Sequence, residues 1–271
     1  MIASPWKQYM TRSLEHLKDR STQVLRASPT PIHGNVLPLL SFKSQNDLKG
    51  FATGCDADLG GKSTCTLDLA PTGDYARFYG RLSNDLNPGR RKEGVVERGG
   101  YAGFRNKQRT TFFGTLTWDT SLHDYLRLRV RSSGDGMRYF VNIQTEGPVR
   151  SDLFQHRLWL PSPSSSSSSP SSSFPSPSPS PPSSPSSSSS PSSSPAQSAD
   201  PHPHAWTDIL IPFSDFTLTN SGDLSGQQVG MLRDKVRTVG VSVLGPMEGR
   251  FELSIASIDA VSLDPSQQQH E

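Results

Sequence analysis

Residues 161 to 195 read PSPSSSSSSPSSSFPSPSPSPPSSPSSSSSPSSSP, and apart from Phe174 the run is serine and proline alone. Such a segment has no apolar surface to bury against the entropy of ordering it, so a disordered stretch is expected over 161–204. Its position constrains the fold more than its content does. DLFQHRLWLP leads into it and HAWTDILIPF leads out, and both have strand character. The part before it lacks closing strands, and the part after it offers about three, too few for a core of their own. The simplest arrangement is one domain whose loop between neighbouring strands has been expanded. Loop lengthening costs only about 0.6 kcal/mol per doubling, so the fold tolerates it.

The rest of the pattern is β. Strands are expected at TCTLDLA, YARFYGRLS, GYAGFRNK, YLRLRVRS, MRYFVNIQTE, DLFQHRLWL, WTDILIPFS, VRTVGVSVLG and GRFELSIASIDAV. YLRLRVRS sets Leu126, Leu128 and Val130 on one face and Arg127, Arg129 and Arg131 on the other, as a sheet with one wet face requires. Pro88-Gly89, Ser133-Gly134-Asp135-Gly136 and Glu248-Gly249 supply turn chemistry. About nine short strands with no convincing helix between them indicate an all-β antiparallel sandwich or jelly roll. The domain is placed at 42–262, with a polar tail at 263–271. Ahead of it, residues 1–41 form a leader. There Trp6, Met10, Leu14 and Leu17 fall on one helical face, and Lys7, Arg12, Lys18, Arg20 and Arg26 outnumber Glu15 and Asp19. This leader is either a targeting helix or an amphipathic helix packed on the domain.

Charge excludes some classes. The 271-residue chain carries a net charge of +2, with its basic residues scattered, which gives no footprint for nucleic acid. No apolar run has the length of a bilayer span. No secretory h-region and no Asn-x-Ser/Thr sequon are present. The two cysteines, Cys55 and Cys65, are too few for a disulfide framework and are expected as free thiols.

Motifs that resemble reactive sites fail in detail. GCDADLGGKST (54–64) has Asp56 where a phosphate-binding loop needs glycine, and a strand rather than a helix follows. Asp56 and Asp58 are oxygen donors of the kind calcium takes, but a polar turn shaped by Gly60 and Gly61 is preferred. GGYAGFRNK lacks a βαβ setting, so its glycines read as points of close approach rather than a dinucleotide site. Asp200, His202 and His204 lie in the insert, and His123 and His156 have no partner at ligand spacing. No nucleophile elbow is present and no carboxylate pair stands out. No catalytic, cofactor-binding or metal residues are therefore assigned, and partner-binding residues remain unassigned. Trp118, Trp159, Trp206, Phe213 and Phe216 lie at strand ends, either as core or as a concave face for a sugar or a protein.

Taken in order, DADLGGKST, FYGRLS, GYAGFRNK, WDTSLHDYLRLRVRSSGDGMRYFVNIQT, DLFQHRL, WTDILIPFSDF and FELSIASIDAV resemble the complex I intermediate-associated protein 30 family. The resemblance runs from about 42 to 262, with the Ser/Pro insert as the exception. It implies a galactose-binding-like β-sandwich and a binding chaperone, not an enzyme. It further implies mitochondrial location on the matrix side of the inner membrane, with peripheral contact to that membrane. The implied partners are assembly intermediates of NADH:ubiquinone oxidoreductase and other assembly factors, with no cofactor. Two rival readings use the same sandwich. A carbohydrate-binding module rests on the aromatics, and a hydrolase needs a carboxylate pair assembled in space.

Overall fold

The computed structural model describes residues 9–15, 17–18, 35–85, 99–112, 114–147, 149, 151–160, 205–220 and 222–263. The insert at 161–204, with Asp200, His202 and His204, and the tail beyond 263 lie outside the described residues.

Alternation of apolar and polar residues builds two antiparallel sheets. The first contains Val36–Ser41 (β1), Thr64–Leu69 (β3), Ala76–Leu82 (β4), Tyr125–Ser132 (β8), Thr207–Pro212 (β11) and Gly249–Val261 (β15). Its order is β11-β8-β15-β4-β3, with β1 paired to the far end of β15. The second contains Phe51–Cys55 (β2), Tyr101–Asn106 (β5), Arg138–Thr145 (β9), Asp152–Leu158 (β10), Thr217–Asn220 (β12), Asp223–Leu224 (β13) and Val236–Leu244 (β14). Its order is β13-β12-β10-β9-β14-β5-β2. Arg109–Thr111 (β6) and Gly114–Leu116 (β7) form a separate hairpin. Residues 9–15 and 17–18 are helical (α1), and Gln45–Leu48 (α2) is one turn closed by a capping box between Ser44 and Asp47.

The core lies between the sheets. Leu126, Leu128 and Val130 of β8 meet Leu253, Ile255 and Ile258 of β15 on one side, and Tyr139, Val141, Ile143, Val239, Val241 and Val243 close the other. Phe78 links the layers, with its ring 5.0 Å from Phe251 and 5.1 Å from Phe104. Burial of this apolar surface, at about 25 cal/mol per Å², is the main stabilising term.

All nine strands expected from sequence are present, in the expected all-β antiparallel sandwich. Three details differ. The sandwich begins at Val36, ahead of the boundary drawn at 42, because β1 hydrogen-bonds to β15. The insert does not join paired strands. The chain leaves β10 inside one sheet and re-enters at β11, the edge of the other. Arg131 shares the outer face of β8 with Arg127 and Arg129, but there it is not wet. It is buried, with its guanidinium 4.9 Å from the Tyr75 ring and 4.8 Å from Trp206. Trp206, the second described residue after the insert, is part of that cover.

Candidate partner-binding surface

The DADLGGKST loop folds around Asp56. Its Oδ1 accepts the Ser63 N–H at 2.9 Å, and its Oδ2 accepts Ser63 Oγ–H at 2.9 Å and the Gly100 N–H at 2.6 Å. Tyr101 N–H adds a longer contact of 3.3 Å. Ser63 Oγ in turn accepts from Ser83 N–H, so one carboxylate ties the β2–β3 loop to the end of β4 and the start of β5. Gly60 turns at φ 101°, and a side chain at Gly61 would sit 2.3 Å from the Asp56 carboxyl carbon. This is the polar turn expected from sequence. Both Asp56 oxygens are turned to protein donors, and Asp58 is exposed.

Two further acids are likewise engaged, the half-buried Asp135 and the buried Asp259. Asp135 accepts from Tyr139 Oη at 2.6 Å and from the backbone of Met137 and Glu252, and Asp259 accepts from Arg127 and Ser257. Cys55 and Cys65 are both free thiols. They stand on β2 and β3, the edge strands of opposite sheets, where Cys55 donates to Ser63 O and Cys65 to Gly54 O. Burial first, then the neighbouring Cys55, pushes the Cys65 thiol up to about 11. Among the described residues no cluster of His, Cys, Asp and Glu has the makings of a metal site. His156 packs its ring 5.6 Å from Phe216, and His123 is buried in the loop after β7.

The five aromatics expected at strand ends divide. Phe213 and Phe216 are core. Trp206 meets Tyr75 edge-on at 5.2 Å. Trp118 packs against the core with Arg109 stacked 3.6 Å above it. Only Trp159 among them is truly outside, 65% exposed with Arg157 stacked at 3.9 Å.

Trp159 stands at one corner of the outer face of the second sheet. Cross-strand register places Ala52 and Gly54 of β2, Gly103 and Arg105 of β5, Gly240 and Ser242 of β14, Asn142 of β9 and Gln155 of β10 on this face. A polar strip crosses it: Gln155 Nε2 donates to Asn142 Oδ1 at 2.9 Å, and Asn142 Nδ2 donates to Ser242 Oγ at 2.8 Å. The glycines keep the floor low. A side chain at Gly240 would meet the Phe104 carbonyl at 2.1 Å, and one at Gly103 would meet the Tyr101 hydroxyl at 2.9 Å. The result is a shallow floor with amide groups, flanked by the exposed Tyr101 and by the Arg157–Trp159 stack. It can recognise a partner by shape and by amide hydrogen bonds, with the stack as an anchor. Sequence reading did not find this face. Its signal was glycine at outward strand positions, Gly54, Gly103 and Gly240, where a strand normally carries a side chain.

Residues 40–175 and 189–255 match the family described as Complex I intermediate-associated protein 30 (CIA30). A mitochondrial protein of that name from Neurospora crassa is 30% identical over 95% of this chain and 85% of its own length. Those of Drosophila melanogaster and Mus musculus are 28% and 24% identical over 84% and 83% of this chain. The chain spans 63% and 56% of these two longer relatives. Among solved structures, a family 11 carbohydrate-binding module from Clostridium thermocellum, bound to a mixed-linked tetrasaccharide, aligns at TM-score 0.45 and 13% identity over 84% of this chain and 95% of its own. That likeness is too distant to bring a ligand with it. The family match covers most of the chain, and on that match the chain belongs to the complex I intermediate-associated protein 30 family.

Proposed function

We propose that this chain is an assembly factor for mitochondrial complex I. It holds partly assembled membrane-arm subcomplexes, on the matrix side of the inner membrane, until further subunits join. Family membership carries the reading: the match extends over both sides of the insert, and the relatives named for complex I intermediates are named mitochondrial. The geometry supports binding over catalysis. The carboxylates of Asp56 and Asp259, which are buried, and of the half-buried Asp135 are committed to structural hydrogen bonds. The outer face of the second sheet offers shape and a Trp anchor, which suit a protein partner.

Deleting the gene and resolving mitochondrial complexes on a native gel tests the role. The expected result is loss of mature complex I with subcomplexes accumulating; unchanged complex I would remove the reading. Complementation with Trp159→Ala tests the face. Trp159 is mostly exposed, so folding is expected to survive while assembly falls at least severalfold. Full rescue by this variant would move the contact elsewhere.

A further inference from the structure

Helix α1 sits on the sandwich in an unusual way. Ser13 is its buried residue, and its hydroxyl accepts the Phe112 N–H of the β6–β7 hairpin at 3.1 Å. The apolar stripe does not face the domain. Met10, Leu14 and Leu17, spaced four and three apart, are 44%, 60% and 48% exposed, and Phe112 beside them is 47% exposed. A helix that only needed to pack on the sandwich would turn these residues inward.

The charge next to the stripe is also unbalanced. Arg109 of β6 is stacked on Trp118, and its Nε and Nη2 are shut off from water with no hydrogen-bond partner. Arg12 of α1 is close enough to act on it. Burial first, then the Arg12 charge, brings Arg109 down to about 10. Among the described residues no carboxylate pairs with either guanidinium. Two close cations without an acid cost energy unless something anionic approaches. Glu15, exposed on the same helix, pairs with neither guanidinium, and an apolar stripe beside two such arginines is the pattern of a helix lying in the interface of an anionic bilayer.

We propose that α1 and the tip of the β6–β7 hairpin form a docking surface for an anionic phospholipid membrane. Met10, Leu14, Leu17 and Phe112 enter the headgroup boundary, and Arg12, backed by the buried Arg109 charge, faces the lipid phosphates. Among the described residues no helix is long and apolar enough to cross a membrane, so contact through α1 is interfacial. The surface gives the peripheral membrane contact of the assembly reading a physical carrier. It rests on that reading for which membrane is met, but not for lipid binding itself.

The test is flotation of the purified full chain with vesicles of phosphatidylcholine alone, or with about a quarter phosphatidylglycerol, in low and high salt. Binding is expected only to the anionic vesicles and is expected to weaken in high salt. Leu14→Glu should abolish it. Arg12→Gln should weaken it about fivefold, the effect of one cation near an anionic surface. Both positions lie outside the core, and unchanged thermal unfolding checks that both variants fold. Equal binding to neutral vesicles, no binding, or binding unaffected by Leu14→Glu would overturn the proposal. So would a mature mitochondrial protein whose N-terminus begins after residue 18. If a gene deletion leaves complex I intact while the vesicle result holds, the assembly reading fails and the lipid surface stands.

Discussion

Asp56 holds Ser63 twice, through the backbone N–H and through the hydroxyl, each at 2.9 Å. With Gly100 N–H on the same carboxylate, this one acid joins the edges of both sheets. Asp56→Ala would leave two buried N–H groups without their acceptor, at about 1–3 kcal/mol each, while the Ser63 hydroxyl keeps the Ser83 carbonyl. A total loss of about 2–6 kcal/mol in urea unfolding is expected, with an unchanged m-value. Asp56→Asn keeps one acceptor oxygen and should lose about half as much. A loss below about 1 kcal/mol for Asp56→Ala would show that the loop carries no structural weight.

Tyr139 is fully buried and gives its hydroxyl proton to Asp135 at 2.6 Å. Burial first, then the Asp135 charge, raises its pKa well above 10. The folded state therefore keeps a proton that the unfolded chain releases above pH 10. Its contribution is whole below pH 10 and falls as pH rises beyond it. Tyr139→Phe should cost about 1–1.5 kcal/mol at pH 7. It should also flatten the stability decline above pH 10, read from urea midpoints across pH 8 to 11. An identical alkaline slope in the variant would assign that decline to another group.

Cys65 follows the same sign in a lower window. Its thiol is raised from 9.0 to about 11, so folded protein holds it protonated while unfolded protein does not. Stability from this group is full below pH 9 and declines towards pH 11. Because the thiolate is the nucleophile, two pH units correspond to roughly a hundredfold drop in reactive fraction. At pH 8, alkylation of Cys65 by iodoacetamide should therefore be about a hundredfold slower in native protein than in urea. Comparable rates, followed by peptide mass mapping, would show that the thiol is open and ionised.

The parts read correctly from sequence share one property: their signal is local and periodic. YLRLRVRS and GRFELSIASIDAV alternate strongly enough to fix both class and faces. Short strands carried too little pattern. Asp223–Leu224 and the three-residue strands of the β6–β7 hairpin are local hairpins too short to show an alternating period. Arg131 was misplaced because its burial comes from Tyr75 and Trp206, distant in sequence, while its strand parity is that of Arg129. The candidate face was illegible for a related reason. Gly54, Gly103 and Gly240 come from three strands, and only the order β14-β5-β2 sets them side by side. The α1 stripe was visible as a period, but its outward direction depends on Ser13 meeting Phe112.

The crossing between sheets sets how far the insert can be shortened. Residue 160 follows β10 in one sheet, and residue 205 precedes β11 in the other. Packed sheets stand about 10 Å apart. A direct junction of residue 160 to residue 205 reaches only about 3.8 Å, so it cannot connect them without displacing an end. Deleting 161–204 outright is therefore expected to detach β11 and expose Ile211, which is buried, seen as loss of soluble folded protein. A replacement of about eight Gly/Ser residues spans the gap with slack. That loop is roughly fivefold shorter than the native one, and the smaller closure entropy should stabilise the fold by about 1.5 kcal/mol. Thermal melts of the two deletions separate the cases. Equal folding of both would mean that β10 and β11 approach more closely than sheet packing allows. Failure of both would mean that the insert contributes contacts of its own to the sandwich.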